Sequence, residues 1–81
     1  MGLMSMTNAA AILQDQLKRV KFRMQILDLI EDRLREMKAL AQRVAWHDLN
    51  QGEIDIIQKR VNELAGEITF LERLEAPDLI H

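Results

Sequence analysis

From Thr7 to Trp46 the chain contains neither proline nor glycine. Nothing in that stretch removes a backbone donor or favours a non-helical backbone, and strong helix formers dominate it. A single long helix is the conformation these residues allow most readily. Thr7 or Asn8 is placed to cap its start, before the segment AAAILQDQLKRV. Apolar residues then fall on one side: Leu13, Leu17, Val20, Met24 and Leu27 step by four and three. Two successive steps of three, through Ile30, shift the stripe, which resumes at Leu34, Met37, Ala41 and Val44. Such a shift turns the apolar face towards a new neighbour. Ile26, Leu29 and Leu40 widen it, giving a face broad enough for more than one partner helix.

A second helix follows. Ile54, Ile57, Val61, Leu64, Ile68 and Leu71 alternate steps of three and four, which is the a/d seam of a coiled coil. Gly66 lies off that seam, and Pro77 pushes the residue before it out of the helical region. Between the two helices lies WHDLNQGE. Asn50 is a favoured N-cap and Glu53 sits at the third helical position of a capping box. Leu49 and Ile54 hold the positions of a hydrophobic staple. The chain breaks here because a new helix is nucleated. The predicted fold is all-α: one helical-hairpin domain over 1–81, with a helix at 8–46, a turn at 47–50, a helix at 51–75 and a frayed tail at 76–81.

The arms are unequal. At 1.5 Å per residue the first helix runs about 60 Å and the second about 37 Å. The returning helix therefore covers the first only to around Phe22. Ile12, Leu13, Leu17 and Val20, continued by Met24 and Leu27, form an apolar surface without intramolecular cover. The hairpin seam is predicted at Leu34, Met37, Ala41 and Val44 on one side and the six second-helix residues on the other. A lone hairpin of this size is marginally stable. A homo-oligomer (dimer or tetramer) or a partner helix is expected to complete a helical bundle through the exposed stripe.

The segment Leu34 to Ile68, LREMKALAQRVAWHDLNQGEIDIIQKRVNELAGEI, resembles the N-terminal core hairpin of bacterial flagellin. Leu34, Met37, Leu40 and Ala41 match that family's first motif. Leu49 and Asn50 fall at its leucine and helix cap. Ile57, Gln58, Lys59, Val61, Asn62, Leu64, Glu67 and Ile68 match its second motif, and no gap is needed between Ala41 and Ile57. The resemblance implies a bacterial, filament-type assembly hairpin that needs a third helix. Trp46, His47 and Asp48 replace the family's usual Asn-Gly-Thr turn. Glu36 and Ala39 stand where the family has the arginine and glutamate that touch the innate immune flagellin receptor, so that contact is not expected. The family's terminal assembly segments and C-terminal helix have no counterpart in these residues, so an ordinary filament subunit is not expected: the resemblance leaves a truncated or diverged relative, or a module whose third helix comes from another copy.

No catalytic, metal or cofactor site is expected. Without cysteine there is no thiolate ligand or nucleophile. His47 and Asp48 are adjacent and read as a polar turn, because neighbouring residues do not converge on one ligand position. Glu31, Asp32, Glu36, Glu53 and Asp55 read as solvated faces with helical pairs such as Glu31 with Arg35. Lys18, Arg19, Lys21 and Arg23 form the one basic cluster, but they wrap around the helix and acidic residues dilute them. With a net charge of −2, binding to nucleic acid or a membrane is not expected. No apolar run reaches the roughly 20 residues that cross a bilayer, and the N-terminal residues fit neither a cleaved signal nor a myristoylation motif. Met24 and Met37 lie on the stripe as adaptable packing residues, and Trp46 is expected to pack over Ile54. The functional expectation is a non-enzymatic structural protein that self-associates through apolar seams. The alternative is a small adaptor or chaperone for a heterologous helix. The location is open: cytoplasmic, or exported without a cleaved signal if the flagellin resemblance reflects kinship.

Overall fold

The computed structural model describes residues 2–75. They form two helices, α1 (Gly2–Trp46) and α2 (Gln51–Glu75), joined by residues 47–50. The fold is the expected all-α antiparallel hairpin with unequal arms. It is long and narrow, 72 × 24 × 13 Å. The expected tail, 76–81, lies outside the described residues.

Helix α1 begins at Gly2, six residues before the expected start, so neither Thr7 nor Asn8 caps it. Polar residues at these positions disfavour a helix only weakly, and nothing between Gly2 and Thr7 breaks one. The helix ends where the His47 amide donates to the Arg43 carbonyl at 3.1 Å. Arg43 in its last turn suits the negative end of the helix dipole.

The turn works through Asn50. Its side-chain Oδ1 accepts from the Glu53 amide at 2.8 Å, and its carbonyl accepts from the Ile54 amide at 3.1 Å. These two bonds close the first turn of α2. Among the described residues the Asn50 amide donates no return bond to the Glu53 carboxylate, so the cap acts in one direction. Leu49 and Ile54 are both half-buried, as a staple requires. Gly52 sits close to the cap, because a Cβ there would meet Asn50 Oδ1 at 3.4 Å. Asn50→Ala removes the one side chain that satisfies a free α2 amide. We expect a loss of about 1 kcal/mol in a thermal melt. A change indistinguishable from zero would mean that water caps the helix equally well.

The core is a single seam. Ile57, Leu64 and Leu71 of α2 and Ile26 of α1 are buried, and Leu64 is fully enclosed. On α2, Ile54, Val61 and Ile68 flank this row, half-buried. On α1 the face differs from expectation. Ile26, Ile30, Arg33, Met37 and Leu40 turn towards α2, whereas Leu34 is 52% exposed, Val44 42% and Ala41 exposed. Of the four α1 seam residues expected, Met37 alone is even half-buried.

The reason lies in two overlapping heptad phases. One runs 27-30-34-37-41-44 and the other 26-30-33-37-40-44, so both share Ile30, Met37 and Val44. The first is purely apolar, and the second places Arg33 at its centre. Burial alone favours the first. The second brings opposite charges across the arms. Arg33 meets Glu67 at 3.5 Å, Arg60 clasps Glu36 through two bonds of 2.6 and 3.0 Å, and Arg23 meets Glu75 at 3.6 Å. Ile26, a member of this second phase, is the α1 residue that becomes buried.

Arg33 is the irregular member of this seam. Its NH1 group donates to the Leu29 carbonyl at 3.2 Å, while its Nε is buried without a partner. A polar group at one core position costs stability and fixes which residues face each other.

Candidate functional site

Helix α2 ends against the region of Arg23, and the part of α1 before it projects alone. The residues expected to form a partner interface are all exposed there. Ile12, Leu13, Leu17, Val20, Met24 and Leu27 each leave about half of their surface, or more, open to solvent. Leu34, displaced from the hairpin seam, joins them. Leu13, Val20, Leu27 and Leu34 recur every seven residues, with Leu17 and Met24 between, so the ribbon runs from the projecting arm onto the hairpin body. Over residues 8–43 this strip measures about 54 Å by about 10 Å, or roughly 500 Å² in plan. That is at the upper end of what a monomer leaves uncovered.

The second surface was not anticipated. Beside the seam an open groove of about 630 Å³ is lined by Arg33, Glu63, Gly66, Glu67, Phe70 and Leu71. Phe70 is 61% exposed at its edge, and a Cβ on Gly66 would meet nothing within 4 Å. The glycine, read from sequence as tolerated, leaves the floor of this groove open. Because that space is empty, Gly66→Ala relieves the helix of glycine without a clash. We expect a gain of about 0.5–1 kcal/mol, which for a domain this small raises the melting midpoint by several degrees. A lower midpoint would show that something occupies the groove in solution.

Trp46 also departs from expectation. It is 73% exposed and does not pack over Ile54.

The charged residues form clasps. Hydrogen bonding from Arg60, assisted by its positive charge and that of Arg33, holds the Glu36 carboxyl below the usual glutamate range. The same bond to Glu36 raises the Arg60 guanidinium. A carboxyl with a lowered folded pKa contributes stability above its ordinary pKa of about 4.3 and loses it as pH falls through the folded value. The drop in melting midpoint between about pH 5 and about pH 3 should therefore be smaller for Glu36→Gln than for the parent chain. Parallel pH curves for the two proteins would exclude this clasp as a contributor. Within the basic cluster, Arg19 pairs with Asp15 at 3.1 Å and Arg23 with Glu75, leaving Lys18 and Lys21 without such pairs among the described residues.

Among the described residues no three His, Asp or Glu side chains gather as a metal site. None of the helices there is long and apolar enough to cross a membrane. No protein-family model matches the chain, and neither a curated protein nor a solved structure aligns with it. What the coordinates define is a class of architecture: an antiparallel two-helix hairpin with one overhanging arm.

Proposed function

We propose that the protein is a non-enzymatic assembly element, a helical hairpin whose activity is self-association through the apolar ribbon of α1. The observation that carries this is the continuity of Leu13, Leu17, Val20, Met24, Leu27 and Leu34 on a helix that its own return arm leaves open. A hairpin with one fully buried side chain is poorly stabilised alone, and covering the ribbon would supply the missing burial. The resemblance of residues 34–68 to the flagellin core hairpin supports the same reading, since that hairpin packs with a further helix.

Sedimentation equilibrium on the purified chain tests it. A dimer or larger symmetric oligomer is expected, with the amides of residues 12–27 protected from hydrogen exchange. A folded monomer at every concentration would rule it out. A second reading draws on the groove at Gly66 and Phe70: an adaptor that accepts a heterologous helix. In that case the chain alone would be monomeric and the amides of α1 before Phe22 would exchange freely.

A further inference from the structure

We infer that the occupant of the ribbon is a second copy of this chain lying antiparallel along α1, so that each arm serves as the third helix of the other hairpin. This rests on the self-association proposed above and adds its direction and register.

The ribbon is shared by the arm and the body. Residues 8–25 form the arm, which projects past α2 as far as Arg23, and residues 26–43 form an equal length of the same helix alongside α2. A two-fold axis between these halves lays each arm on the partner's body, and one patch then serves both protomers. A parallel pair would instead lay arm on arm and leave both projecting.

Charge separates the two arrangements. Residues 8–25 carry four basic side chains and one acidic, a net +3. Residues 26–75 carry eleven acidic and seven basic, a net −4. Arm on arm sets like charges together. Arm on body removes that like-charge contact: the facing half of the ribbon, residues 26–43, carries four acidic and four basic side chains on a body that is acidic overall, and such differences fix direction and register more than they add affinity.

Charge also selects the register. Two antiparallel alignments, one heptad apart, keep the ribbon in contact. In one, Leu17 meets the partner's Leu27, and Lys21 at the edge of the ribbon meets the partner's Lys21. In the other, Leu17 meets the partner's Leu34, Met24 meets the partner's Leu27, and Lys21 lies beside the partner's Asp28. The second removes a like-charge contact at the axis and replaces it with two opposite-charge contacts, one on each side of the two-fold. It also sets Leu34, the ribbon residue on the hairpin body, against the partner's Leu17. Glu31 and Lys38 interrupt the ribbon on the body. Their aliphatic stems cover apolar surface while the charged ends reach water.

The chain has no cysteine, so introduced thiols report neighbours without background. Leu17→Cys, Leu27→Cys, Leu34→Cys and Phe70→Cys are all at exposed positions and leave the hairpin core intact. Each is checked for helicity before mild oxidation, and the parent chain is sedimented in parallel. We expect mixed Leu17→Cys and Leu34→Cys proteins to form a covalent dimer at least tenfold faster than either alone. Faster cross-linking of Leu17→Cys with itself would establish a parallel pair and overturn the proposal. Faster cross-linking of Leu17→Cys with Leu27→Cys would overturn the register, and with Phe70→Cys would place the arm in the Gly66 groove instead. A monomeric parent chain would remove self-association itself, an outcome that sedimentation separates from a wrong alignment.

Discussion

Leu64→Ala is expected to unfold the hairpin. Leu64 is 0% exposed, midway along α2, and its removal deletes apolar contacts on both arms at once. Large-to-small substitutions at such sites cost about 2–5 kcal/mol, and a domain of this size has little more to lose. Helicity should fall most in α2, because α1 is the longer helix and has more of its hydrogen bonds away from the seam. Ile56→Ala is the control, since Ile56 is 71% exposed on the same helix and its loss should fall within about 0.5 kcal/mol of zero. Equal effects at the two positions would mean that α2 is not held by the seam described above.

The second large effect concerns the ribbon. Leu17→Asp combined with Met24→Asp places charges where apolar contact between copies is proposed, at residues that touch nothing in the hairpin core. Each leucine-sized side chain contributes about 1.5–3 kcal/mol when buried, and in a symmetric dimer every substitution acts twice. The dissociation constant should rise at least a hundredfold, since each 1.4 kcal/mol is a factor of ten. Sedimentation would show monomer, and the melting midpoint should lose the concentration dependence expected of the parent chain. An oligomer of unchanged affinity would move the interface elsewhere, with the groove beside Phe70 the next surface to test.

These experiments separate two faces of one helix, and that separation explains what could be read from the chain in advance. Helix α2 was legible because its apolar residues follow a single unbroken heptad phase from Ile54 to Leu71. The turn was legible because Asn50 carries a local hydrogen bond that needs no tertiary partner. Helix α1 is apolar on two sides, and periodicity cannot say which side meets which neighbour. Leu34 and Ala41 therefore looked like hairpin core.

By itself the sequence determined the helices, the cap and the overhang, all of which depend on local propensity and on the relative lengths of the arms. The tertiary structure decided the pairing face of α1. Two phases of that helix were open to α2, one purely apolar and one with Arg33 at its centre, and the phase observed is the one that carries the cross-arm pairs Arg33–Glu67 and Glu36–Arg60. Contacts between residues so distant in sequence have no periodicity of their own, so they become visible only once the chain has folded back.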